Sequence, residues 1–179
     1  MTGIARGSLL LLPILAILAV APLSAKEGRP MTEMRMTSPA FVHTKAIPSK
    51  YSCDGDNLSP PLAIEGVPPE AKSLALVMDD PDAPAGVWVH WVLWNIDPGT
   101  LQIPQGHVPG GAQQGMNSWE KRGYGGPCPP SGTHRYFFRL FALKERLDLP
   151  ASATRKDLDR AMQGKILARS ELLGLYSRK

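Results

Sequence analysis

A chain of 179 residues with 20 Lys and Arg against 16 Asp and Glu is long enough for one domain with its own core. Its formal net charge of +4 is mild, and the basic pairs Lys121-Arg122 and Arg178-Lys179 are too short to make a stripe, so nucleic acid is not an expected partner. Two cysteines without a CxxC, and no His/Cys cluster at zinc spacing, argue against a structural zinc site.

The chain opens with Arg6 and an apolar run, "SLLLLPILAILAVAPLSA", that ends in small residues. That order describes a secretory signal peptide over residues 1–25, with Ala25 the last residue removed. The run is short for a membrane span and Pro13 interrupts it, so no stable membrane insertion is expected after cleavage, and the protein is expected to be exported, periplasmic or secreted. In an oxidising compartment an even cysteine count favours a Cys53–Cys128 disulfide over two separate buried thiols.

Residues 26–35 read as a polar, methionine-rich flexible lead-in, looseness reaching to about residue 38, and residues 36–179 as the folded domain. "YSCDGDNLSPPL" is loop by its Asp-Gly and Ser-Pro-Pro signals. "SLALVMD" (73–79), "VWVHWVLWNI" (87–96) and "HRYFFRLFAL" (134–143) predict three strands, the second apolar on both faces and therefore central. With much Pro and Gly between them, they predict a mainly β, sandwich-like domain with short peripheral and C-terminal helices. Thr154 and Asp157 make a capping box ahead of a helix with Leu158, Ala161 and Met162 on its apolar face. "KILARSELLGLY" predicts a second helix ending near Gly174.

Three clusters carry the residue types of a binding site. In "DDPDAP", Asp80 and Asp82 flank a proline that stiffens the backbone where a strand ends. His90 sits within the most hydrophobic strand, on the face that alternation assigns to Trp88, Val92 and Trp94; burial makes its imidazole costly without a partner. In "GYGGPCPPSGTHRY", His134 and Tyr136 point to one face and Arg135 to the other. The Gly/Pro-rich stretch before them is expected to offer unobstructed backbone N–H groups to an anion.

"DDPDAP", "HWVLWN" and "GYGGPCPPSGTHRYFF", in this order and spacing, resemble the phosphatidylethanolamine-binding protein family, and its bacterial Raf-kinase-inhibitor-like branch above all. The resemblance spans about residues 36–178 and includes "CDGDNLSPPL" and "LARSELLGLY". It implies a large antiparallel sheet, a smaller one, and a shallow pocket for phosphate-like anions. The ligand-binding residues it implies are Asp80, Asp82, Pro84, His90, Gly126, Pro127, Pro129, Pro130, His134 and Tyr136. It also implies a cis peptide at Ala83–Pro84. The chain ends soon after Tyr176, where eukaryotic relatives add a helix bordering the pocket, so their ligand preferences and kinase partners do not carry over.

The expected function is an exported, non-enzymatic binding protein for a phosphomonoester or phospholipid headgroup, possessing no catalytic residue, metal or cofactor. Two alternatives stand beside it. An acid/base enzyme could use Asp, His and Tyr, or a metal held by Asp80, Asp82, His90 and His134, but Ser131 lacks the G-x-S-x-G setting of a nucleophile. A protease inhibitor is the third reading, for which no reactive loop is recognisable.

Overall fold

Ser73–Asp80 form one strand in which all eight residues are buried, which requires a covering layer on each face of its sheet. The computed structural model, which describes residues 1–3 and 33–178, contains both layers. The signal-peptide reading and the lead-in up to residue 32 lie outside the described residues, save for the first three.

In chain order the strands are β1 (Arg35–Thr37), β2 (Lys45–Ala46), β3 (Leu62–Glu65), β4 (Ser73–Asp80), β5 (Trp88–Ile96), β6 (Gln102–Ile103), β7 (Gln113–Gln114), β8 (Thr133–Leu143) and β9 (Ile166–Ser177), with helix α1 (Arg155–Met162) between the last two. The small sheet has the order β1-β3-β6 and the large one β2-β9-β8-β4-β5-β7. Neighbouring strands are antiparallel except β2 on β9.

One core lies between the sheets, where Met36, Ile64 and Ile103 meet Leu76, Met78, Trp91, Phe138 and Leu172. The other lies between the large sheet and α1, where Val77, Val92, Trp94 and Phe141 meet Leu158 and Met162. Burial of each large apolar side chain contributes about 1.5–3 kcal/mol. The helix starts at Thr154, whose side chain accepts from Asp157 N while the Asp157 carboxylate accepts from Thr154 N, the expected capping box.

Four expectations are overturned. The segment read as a second helix is strand β9, which pairs with β8 from Thr133↔Ser177 to Leu143↔Ile166. Its apolar residues are spaced for either period, but Arg169 and Glu171 are exposed between less accessible neighbours, and the long unpaired edge of β8 favours the strand. The end of the lead-in is not loose, because Met34 and Met36 are buried and β1 is tied to β9 by Met36 N donating to Ser170 Oγ at 2.9 Å.

Ala83–Pro84 is trans, and no cis peptide occurs among the described residues. The chain reverses instead at Gly86, which has φ +94° and donates to the Ala83 carbonyl at 3.0 Å. Lastly, His90 does not share a face with Val92 and Trp94. Met78 pairs with Trp91 but Asp79 pairs with Val89, so His90 is the extra residue of a β-bulge. The bulge sends His90 toward Tyr136, while Val92 and Trp94 pack under α1.

Candidate functional site

Strand β4 ends in two aspartates that alternation sends to opposite faces. Asp79 goes toward α1 and is buried against Arg139 and Arg155, whose other partners are Glu171 and Asp159. Asp80 goes to the other face, where Oδ2 accepts from His134 Nδ1 at 2.7 Å and Oδ1 accepts from Asp82 N at 2.8 Å. Both oxygens are thereby fixed, and His134 Nδ1 carries the proton that makes the bond, leaving Nε2 as its free polar atom.

His90 is held from the opposite side. Its Nδ1 donates to the Gly125 carbonyl at 2.6 Å, and its own carbonyl accepts from Gly125 N at 3.0 Å. Burial pushes the imidazole pKa below its ordinary value, opposed in part by the Gly125 carbonyl. His90 is therefore neutral near pH 7, with its lone pair on Nε2. Its ring meets Trp119 edge-on at 5.0 Å and Tyr136 at 5.2 Å.

Asp80, His90 and His134 line a cavity of about 270 Å³ together with Pro84, Pro129 and Pro130. Ala83, Ala85, Trp88, Trp119 and Cys128 complete the wall. Trp119 has no place in any periodic pattern, yet an aromatic inside the polar stretch "NSWEKR" is a signal that could have found it. Asn117 fixes that turn: its Oδ1 accepts from Trp119 N at 3.0 Å and Lys121 N at 3.1 Å, and its Nδ2 donates to Gly123 O at 3.1 Å.

Four residues expected at the pocket are absent from its lining. Asp82 turns outward, taking bonds from Arg135 N, Nε and an η nitrogen at 2.9, 2.9 and 2.7 Å. The Arg135 guanidinium holds the Asp82 carboxyl down at about 2. That leaves only one carboxylate beside the two histidines, so the four-residue metal set considered from sequence is not assembled.

Tyr136 lies beneath the floor, its hydroxyl buried without a hydrogen-bond partner. Burial and then the nearby Asp80 charge push its pKa well above the usual phenol value. Gly126 and Pro127 sit behind the wall. Gly126 N donates to Asn57 Oδ1 at 2.7 Å, and Pro127 O accepts from Cys53 N at 3.0 Å. With Gly125 N given to the His90 carbonyl, the amides of Gly125 and Gly126 are both engaged inside the protein and are not offered to the cavity. What closes the loop onto the body is the Cys53–Cys128 disulfide, with its Cα atoms 5.4 Å apart.

A two-sheet β domain with a small His/Asp pocket at the end of a central strand is the architecture of a ligand-binding module. The family model described as phosphatidylethanolamine-binding protein matches residues 37–177. The chain belongs to that family. It is 51% identical over 150 residues to a UPF0098 protein of Methanothermobacter thermautotrophicus, covering 81% of this chain and 99% of that one. A UPF0098 protein of Aquifex aeolicus is 46% identical over 152 residues, covering 81% and 89%. Among solved structures, a phosphatidylethanolamine-binding protein homologue of Chlamydia trachomatis has TM-score 0.80 at 41% identity, covering 82% of this chain and 99% of its own. E. coli YbcL, described as a member of the mammalian family, has TM-score 0.77 at 31% identity, covering 83% and 100%.

Proposed function

We propose that this is an exported, non-enzymatic binding protein whose pocket takes a phosphate-like anion, either a phosphomonoester or a phospholipid headgroup. The observation that carries this reading is the opposed roles of the two histidines. His134 gives its Nδ1–H to Asp80 at 2.7 Å, and its Nε2 donates to a ligand oxyanion when the ring carries a proton on both nitrogens. His90, whose Nδ1–H is given to Gly125, has Nε2 available to accept. One donor and one acceptor across a small cavity fit a singly protonated phosphate, or a phosphate beside an ammonium. Both have an oxyanion to receive one bond and a proton to donate the other.

Pro84, Trp88, Pro129 and Pro130 form an apolar collar around the pocket. By lowering the local dielectric, the collar strengthens both bonds once water leaves.

Calorimetry with phosphorylethanolamine and inorganic phosphate tests the reading, using wild type, Asp80→Asn and His134→Asn. In the second variant the asparagine amide retains a donor toward Asp80 but has nothing at the Nε2 position. The wild type should bind, and each substitution should weaken binding by about tenfold or more, the scale of one charge-assisted bond. Absence of wild-type binding at millimolar ligand, or equal binding by all three, contradicts the proposal.

A further inference from the structure

Behind the pocket lies a second cavity of about 280 Å³, lined in part by Asn57, Lys121, Arg122 and Gly126. Trp119 and Cys128 line both cavities, so the partition between them is one indole ring and one side of the disulfide. Trp119 is 38% exposed, leaving the rim between the cavities open to solvent. The indole is seated tightly on Gly125, where a Cβ would stand 2.4 Å from the ring, and the Asn117 turn fixes its backbone.

The polar character of the second cavity is one-sided. Asn57 Oδ1 already accepts from Gly126 N at 2.7 Å, and its Nδ2 is a donor with no hydrogen-bond partner among the described residues. Lys121 and Arg122 add two cations, and no carboxylate is among the lining residues. Neither cation has an acidic partner among the described residues. The inner pocket, in contrast, matches a donor with an acceptor, and its Asp80 is the only carboxylate among the described residues that line the two cavities.

We propose that the two cavities form one bipartite site selecting ligands with a second acidic group, the phosphate lying between His134 and His90 and a carboxylate or second phosphate reaching over Trp119 to Asn57, Lys121 and Arg122. This rests on the single-anion reading of the inner pocket. It narrows the ligand class from any small phosphoester to one with two anionic groups a few bonds apart, whether free in solution or part of a headgroup.

O-phospho-L-serine and phosphorylethanolamine make the comparison, because they differ only in the α-carboxylate. Calorimetry at about 50 mM salt should give wild type a five- to tenfold preference for O-phospho-L-serine, the scale of two partly exposed charge pairs, and the preference should shrink as salt rises. In Lys121→Gln/Arg122→Gln it should vanish while affinity for phosphorylethanolamine stays within twofold. Lys72→Gln/Lys144→Gln, an equal loss of charge near the other end of β4, should retain it. Equal wild-type affinities, or a preference that survives in the Lys121→Gln/Arg122→Gln protein or is lost in both variants, overturn the bipartite site alone. Binding of neither compound overturns the single-anion reading and this inference with it.

The matching glycerophospho compounds distinguish the source. Tighter binding of glycerophosphoserine than of free O-phospho-L-serine identifies a headgroup, and the reverse order a free metabolite. Either order supports the bipartite site when the Lys121→Gln/Arg122→Gln protein loses the preference for the serine member of each pair.

Discussion

His90 and Gly125 are joined twice, by Nδ1–H to the Gly125 carbonyl at 2.6 Å and by Gly125 N–H to the His90 carbonyl at 3.0 Å. The imidazole is thereby built into the wall of the cavity, and burial lowers its pKa in the folded state. Below about 6.5 the unfolded chain takes up a proton that the folded one resists. This contribution to stability is thus complete above 6.5 and is lost as pH falls toward the folded-state value, by about 1.4 kcal/mol per pH unit. His90→Asn keeps a donor for Gly125 without the titration. Urea unfolding at pH 7.5 and 5.0 should show a smaller acid loss for the variant than for wild type. An equal loss contradicts the assignment.

The Cys53–Cys128 bridge links positions 75 apart in sequence and joins two loops with few backbone bonds to the sheets. Loop-closure entropy for that length corresponds to about 4 kcal/mol. Unreduced, denatured protein should show no free thiol. Cys53→Ser/Cys128→Ser should lose several kcal/mol in urea unfolding and weaken phosphorylethanolamine binding, because Cys128 lines the pocket. A variant with unchanged stability and affinity would refute both roles.

Gly174 distinguishes strand β9 from the helix that its sequence suggests. At a helix end, alanine is a mild change. In the strand, a Cβ here would stand 2.5 Å from Ile47 Cγ1 and 2.9 Å from Phe41 Cε2. Gly174→Ala should therefore destabilise by about 1–3 kcal/mol through overpacking, read as a lowered urea midpoint. A midpoint at or above that of wild type is the contrary result.

The Tyr136 hydroxyl is buried without a partner, an arrangement that costs about 1–3 kcal/mol. Tyr136→Phe should keep the ring contact with His90 and raise ligand-free stability by about 1 kcal/mol, measured as a higher melting temperature. A clear fall instead means that the hydroxyl makes a stabilising bond.

The parts of the fold legible in the sequence are those where side-chain pattern alone decides. β4, β5 and β8 fall within one residue of the expected strand bounds, because aromatic and β-branched runs between Pro/Gly loops have few other uses. The capping box is equally local. β9 reads as a helix because Leu172, Leu173 and Tyr176 fit a helical stripe, and only the free edge of β8, a long-range feature, selects the strand. At the pocket, Asp80, His90 and His134 are legible as polar residues in or beside apolar strands. The outward turn of Asp82 is not, since it depends on Arg135, 53 positions away. Nor is the engagement of the loop amides, since Asn57 reaches Gly126 from 69 positions away.

The central claim is that the pocket binds an anion with His134 donating and His90 accepting. Long-range ¹H–¹⁵N spectra of the histidine rings, recorded near pH 7 during titration with phosphorylethanolamine, test it most directly. On saturation, His134 should show protons on both ring nitrogens, while His90 should stay neutral with its proton on Nδ1 and its Nε2 signal should shift toward that of a hydrogen-bonded acceptor. Saturation with neither ring changing, or with His90 becoming the doubly protonated ring, would contradict the account.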